Sequence, residues 1–127
     1  PGKMAMMPDN PWKGGTAPTF LSTGPEDYGL MGDGRRVAEY QNEILTLPNK
    51  STGDKYLLLI EGGDHYFGGL IHREVDMTPD YDGLEIFNAA SLAFMDAFTR
   101  DAESAWAFLQ PNILSSASDG RFLLTVE

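Results

Sequence analysis

Two titratable side chains follow short apolar runs that each end at glycine. Asp27 comes after the run Phe20–Thr23. His65 comes after the run Tyr56–Ile60. A carboxylate that hydrogen-bonds one nitrogen of an imidazole fixes its tautomer, and the other nitrogen can then take a proton from a hydroxyl. The pair therefore predicts general base chemistry, with His65 as the base and Asp27 as the orienting acid.

The elements between these residues predict that they lie close together. A helix is expected over residues 35–45, because Val37, Tyr40 and Ile44 form one apolar stripe. Strand, helix and strand in this order predict a right-handed crossover between parallel strands. The carboxyl ends of parallel strands meet at one edge of a sheet. We therefore expect Asp27 and His65, 38 residues apart in the chain, to share one crevice.

The fold class predicted is α/β, with a few-stranded, mainly parallel sheet and flanking helices. The apolar strand Tyr56–Ile60 shows no polar alternation, which is typical of a strand covered on both faces. A long helix over 82–99 presents an apolar face of phenylalanines and alanines to the sheet. The predicted division of the chain is an irregular amino-terminal arm (1–17), a βαβα core (18–110) and a carboxyl-terminal tail or hairpin (111–127).

The end of the chain predicts shorter elements. Asp101 is expected to cap a short helix that runs through Leu109 and that Pro111 ends. The pair Asp119-Gly120 is typical of a hairpin turn. A last strand is expected from Arg121 to Val126.

Composition excludes several classes of function. The chain of 127 residues has 19 acidic and 9 basic side chains and a net charge of −10, which disfavours nucleic acids and anionic membrane surfaces as partners. No apolar run is long enough for a membrane span, and no signal peptide is visible.

The chain lacks cysteine, and Asp64, His65 and His72 match no standard metal spacing. The glycine pairs match no nucleotide-binding motif, so we expect neither metal nor cofactor, and the compartment stays open.

Two loops resemble those of a known superfamily. The segment Thr23–Asp27 resembles the acid loop of α/β-hydrolases, and Glu61–Gly69 resembles their histidine loop. The similarity is greatest to the dienelactone hydrolase and platelet-activating-factor acetylhydrolase-like branch. The long helix at 82–99 resembles the last helix of that fold, and the resemblance covers about residues 17 to 100.

This resemblance implies a site for a small-molecule ester. Asp27 would be the acid, with Asp33 on the same loop as the reserve, and His65 would be the base. Tyr28, Tyr66 and Phe67 flank these positions and could line an apolar acyl pocket, while packing in the core is the equal alternative.

The nucleophile of that superfamily is missing from the sequence. Its serine lies in a Gly-x-Ser-x-Gly elbow, and none of the serines of this chain has that context. The resemblance therefore implies the carboxyl-terminal part of a serine hydrolase, inactive alone, whose partner is the missing amino-terminal half. The start at Pro1, without Met, favours processing, proteolysis or a cloned fragment. The alternative is a non-catalytic α/β association module that could form a homodimer through exposed sheet edges.

Overall fold

The computed structural model describes residues 16–26, 54–70 and 78–126. Within these residues the chain forms three strands and three helices. In chain order they are β1 (Thr19–Thr23), β2 (Lys55–Ile60), α1 (Tyr81–Arg100), α2 (Glu103–Phe108), α3 (Pro111–Ala117) and β3 (Phe122–Val126). The molecule is therefore α/β, as predicted.

The sheet is mixed and has the strand order β1-β2-β3. Strands β1 and β2 are parallel, with Thr23 opposite Leu59, which confirms the predicted parallel pair. Strand β3 runs antiparallel to β2, with Phe122 opposite Ile60. The prediction of a mainly parallel sheet is thus corrected. The reason is local, because the amide of Glu61 donates to the carbonyl of Arg121 at 2.9 Å, so the chain enters β3 beside the end of β2 and runs back along it.

One face of the sheet forms the core with helix α1. Side chains alternate along a strand, so Tyr56, Leu58 and Ile60 of β2 share this face, and all three are buried. Leu58 on β2 and Phe122 on β3, which lies opposite Ile60, have no exposed surface. These residues belong to one hydrophobic cluster with the small side chains of α1.

Helix α1 packs closely because its buried positions are small. Ala90, Ala93 and Ala97 are buried and let the helix approach the sheet. Phe94 fills the space beside them, with its ring 5.4 Å from that of Phe20 and 5.5 Å from that of Tyr56. The helix predicted at 82–99 is confirmed and is one residue longer at each end.

The predicted role of Asp101 is wrong. Asp101 is the left-handed residue that ends α1, with φ 50° and ψ 40°. Its carboxylate accepts a hydrogen bond from the indole N–H of Trp106 at 2.8 Å. Helix α2 therefore begins after Ala102, and no described side chain caps it.

Pro111 begins a helix rather than only ending one. Proline suits the first position of a helix because the amide there needs no partner, and α3 starts at this residue. Asp119 and Gly120, both with positive φ, then join α3 to β3. The hairpin prediction is wrong, since the turn follows a helix. The last strand is confirmed as Phe122–Val126, and it belongs to the central sheet.

Several predicted features lie outside the described residues. They are the greater part of the arm, the helix at 35–45, and the residues Asp27, Tyr28, Asp33 and His72. Of the helices that are described, none combines the length and the apolar character needed to cross a lipid bilayer.

Candidate functional site

The loops that follow β1 and β2 meet at the carboxyl ends of the two strands. The amide of Glu26 donates to the carbonyl oxygen of Gly63 at 3.1 Å. Gly24 packs directly on the same group, because a Cβ atom at Gly24 would lie 2.0 Å from the oxygen of Gly63. The parallel sheet thus brings together the two loops that the sequence singled out. The pairing of the Asp27 carboxylate with His65 stays a prediction.

The segment 61–69, here called the histidine loop, is organised from inside by Asp64. Its carboxylate accepts hydrogen bonds from the amides of Tyr66 at 2.6 Å and Gly68 at 3.0 Å. His65 is exposed between them. Its imidazole meets the ring of Tyr66 edge to face, with the ring centroids 5.0 Å apart and an interplanar angle of 84°. The loop therefore presents an imidazole at the surface on a hydrogen-bonded turn.

The second half of the histidine loop is anchored by Phe67. Phe67 is 7% exposed and belongs to the hydrophobic core. Its ring lies 5.5 Å from that of Phe87 on α1. Core packing, one of the two interpretations of this residue, is thus what its contacts show. A role in lining an acyl pocket stays a prediction, as it does for Tyr66, which is half-buried.

The chain at Phe67 and Gly68 lies against the residues that lead into α1. Both have left-handed backbone conformations, with φ of 49° and 63°. The amide of Asp80 donates to the carbonyl of Phe67 at 3.0 Å. A Cβ atom at Gly68 would lie 1.8 Å from the carbonyl oxygen of Thr78. Only glycine allows this close approach of the two backbones.

Asp80 and Arg121 form an ion pair beside this contact. The Asp80 carboxylate accepts from Nη1 of Arg121 at 2.9 Å and also from its Nη2. It caps α1 as well, accepting from the amide of Gly83 at 3.0 Å. The hydrogen bonds from Arg121 lower the pKa of Asp80 most, the Gly83 amide adds to that effect, and burial opposes it. The same arginine donates from Nε to the carbonyl of Glu61 at 3.2 Å.

Sequence reasoning missed the roles of Asp80 and Arg121. A signal existed for Asp80, because aspartate is a preferred residue just before a helix. None existed for its partner, which lies 41 residues away in sequence.

Two further features lie away from the histidine loop. The side chain of Lys55, at the other end of β2, is buried and donates to the carbonyl of Ala17 at 3.0 Å and to Oγ1 of Thr19 at 3.3 Å. Burial lowers its pKa, and the charge of Asp54 acts in the opposite direction. A groove of about 320 Å³ between α1 and α2 is lined by Ala89, Leu92, Ala93, Asp96, Ser104, Ala105 and Phe108.

The described part of the site presents the exposed imidazole of His65, a type of side chain that can in general accept or donate a proton. Among the residues that the structure describes, no three histidine, cysteine or acidic side chains come together as a group that could hold a metal ion.

Comparisons of the chain with protein-family models, with curated proteins and with solved structures found no match. A function is therefore inferred from the residues and their geometry.

Proposed function

We propose that this chain is the carboxyl-terminal part of an α/β-hydrolase-type serine hydrolase that acts on a small-molecule ester. His65 is its general base, and Asp27 is the acid that orients the imidazole. The observation that carries the proposal is the hydrogen bond from the Glu26 amide to the Gly63 carbonyl. It joins the residue before the proposed acid to a residue two positions before the proposed base.

The proposed reaction needs a serine from the amino-terminal part of the parent protein. The imidazole of His65 takes the proton of the serine hydroxyl while the serine oxygen attacks the ester carbonyl. The imidazolium later gives this proton to the departing alcohol. The carboxylate of Asp27 stabilises the imidazolium between these steps. This chain has no elbow serine, so we expect it to be inactive alone.

A test of the acid and base uses the isolated chain labelled with ¹⁵N-histidine. Imidazole ¹⁵N shifts report the tautomer, which a carboxylate partner fixes. At a pH where imidazoles are neutral, Asp27→Asn should move the His65 signals toward a mixture of tautomers. Asp33→Asn is the matched control on the same predicted loop and should leave them unchanged, and His65→Gln assigns the signals by removing one set. The reverse response to the two substitutions would transfer the acid role to Asp33.

A test of the enzyme class uses the parent protein. The coding sequence upstream of the Pro1 codon should encode a Gly-x-Ser-x-Gly elbow after a strand. His65→Ala in that protein should lower ester hydrolysis by about four orders of magnitude or more. An upstream sequence without such an elbow, or a His65-dependent esterase activity of the isolated chain, would refute the proposal.

One observation favours the alternative of an association module. Strand β3 lies at an edge of the sheet as described and has no charged side chain. Leu123 and Val126 on it are 43% and 42% exposed. Uncharged, apolar edge strands are prone to pair with another chain. Light scattering decides this point: a dimer that Leu123→Lys converts to a monomer supports the module, and a monomeric wild-type chain contradicts pairing through β3.

A further inference from the structure

We propose that the ion pair of Asp80 and Arg121 is a positioning device for His65, which clamps the two ends of the histidine loop. The functional meaning of this inference rests on the proposed role of His65 as the base. Neither residue lies in the histidine loop, and neither belongs to the predicted acid and base pair. The clamp follows from three sets of contacts.

The first set holds the start of the histidine loop. Glu61 follows the last residue of β2, and its amide donates to the carbonyl of Arg121 at 2.9 Å. The side chain of Arg121 returns to the same residue, because Nε donates to the carbonyl of Glu61 at 3.2 Å. Both backbone polar groups of Glu61 thus depend on one arginine.

The second set holds the far part of the loop. The carbonyl of Phe67 accepts from the amide of Asp80 at 3.0 Å. Gly68 lies against the backbone of Thr78 so closely that no Cβ atom fits. The position of residue 80 therefore determines where the chain lies two residues after His65.

The third set joins these two ends. The guanidinium of Arg121 donates through both Nη atoms to the carboxylate of Asp80, while its Nε donates to the carbonyl of Glu61. The side chains of Arg121 and Asp80 are only 31% and 18% exposed. Three donors in one rigid plane fix the direction as well as the distance between the partners. Lysine, with a single ammonium group, cannot reproduce this arrangement.

The interior of the loop transmits this constraint to the imidazole. Asp64 accepts from the amides of Tyr66 and Gly68, so the turn that carries His65 is braced internally. A braced turn held at both ends moves as a unit when one end is released. Loss of the ion pair should therefore change the surroundings of His65 without any direct contact to it.

The same ion pair also supports the fold, so the test must read His65 itself. Asp80 caps α1 through the Gly83 amide, and asparagine caps helices as well as aspartate does. Asp80→Asn thus keeps the cap and weakens the clamp, because its NH2 group cannot accept from the second Nη of Arg121. The matched control is Arg100→Gln, which removes a 74% exposed arginine paired with Asp96 at 3.3 Å on the same helix.

The experiment compares four ¹⁵N-labelled chains well below their melting temperatures: wild type, Asp80→Asn, Arg121→Lys and Arg100→Gln. In Asp80→Asn and Arg121→Lys we expect the His65 imidazole signals to shift. Amide exchange at Tyr66 and Gly68 should accelerate by about tenfold, as for loss of one charged hydrogen bond. Arg100→Gln should match wild type in both measurements.

The inference is overturned if both clamp variants melt at lower temperature but keep wild-type His65 signals and wild-type exchange. The two conservative substitutions guard against a variant that does not fold. The outcome is distinguishable from that of the triad proposal. Indifference of the His65 tautomer to Asp27→Asn, with a clear response to Asp80→Asn, would retain the clamp and reject the triad.

Discussion

The amide of Glu26 and the carbonyl of Gly63, 3.1 Å apart, form the junction between the two loops that carry the proposed chemistry. The parallel register explains why they meet. Thr23 at the end of β1 lies opposite Leu59 near the end of β2, so both strands deliver their loops to the same edge of the sheet. Gly24 and Gly63 lie at this edge, and the two backbones come into direct contact there.

Gly24→Ala should break this junction. The new Cβ atom would lie 2.0 Å from the carbonyl oxygen of Gly63, and backbone on both sides leaves little room for adjustment. We expect a loss of about 3 kcal/mol in the free energy of unfolding, measured by urea denaturation. Hydrogen exchange at the Glu26 amide should accelerate at the same time.

Gly62→Ala is the control for this substitution. Nothing lies within 4 Å of a Cβ atom at Gly62, although its φ of +69° is left-handed. Its cost should be about 1 kcal/mol, from backbone conformation alone. Equal losses for the two alanines would show that the contact between Gly24 and Gly63 does not stabilise the fold.

The sequence predicted the elements whose signals are local. Uninterrupted apolar residues identified β2, and the spacing of Phe87, Phe94 and Phe98 identified α1 within one residue at each end. The meeting of the two loops followed from topology, because parallel neighbours end at a common edge. These are the parts where periodicity and chain direction suffice.

The sequence did not predict the features that depend on distant partners. Asp101 has the residue type of a helix cap, but the indole of Trp106 takes its carboxylate and its backbone ends α1. Arg121 and Asp80 are 41 residues apart, and only the antiparallel return of β3 brings them together. Propensity describes what a residue can do locally, and tertiary contacts decide which of those options is used.

The link between Asp101 and Trp106 gives a second prediction. Asp101→Ala removes the hydrogen bond to the indole and places an alanine at φ 50°. The loss in the free energy of unfolding should be about 2 kcal/mol. Asp101→Asn keeps an acceptor and tolerates the left-handed conformation, so it should lie within about 0.5 kcal/mol of wild type. Denaturation followed by tryptophan fluorescence measures both, and similar values for the two variants would contradict this account.

The bracing of the histidine loop by Asp64 gives a third. Asp64→Ala removes the acceptor for the amides of Tyr66 and Gly68, and we expect it to cost about 2 kcal/mol of stability. Asp64→Asn keeps one acceptor oxygen and should lose about half as much. Exchange at these two amides should rank alanine above asparagine and asparagine above wild type. Equal protection in all three chains would show that the carboxylate does not brace the loop.

The final prediction concerns the stability of the chain at low pH. Arg121 lowers the pKa of Asp80 in the folded chain, with help from the Gly83 amide and against the effect of burial. A carboxyl group whose pKa is lowered by folding contributes its full stabilisation at pH values above its ordinary pKa of about 3.9. This contribution disappears as the pH falls through the folded pKa. The difference in unfolding free energy between wild type and Asp80→Asn should therefore be constant near neutral pH and shrink below about pH 4.

Urea denaturation from pH 7 down to pH 2 measures this difference, and subtraction of the two chains removes the titration of the other carboxyl groups. Asp96→Asn is the matched control, because its partner Arg100 is 74% exposed and such pairs contribute about 0–1 kcal/mol. Its difference from wild type should stay small throughout. If Asp80→Asn destabilised the chain equally at both ends of the range, its effect could not come from an ionised carboxylate held by Arg121.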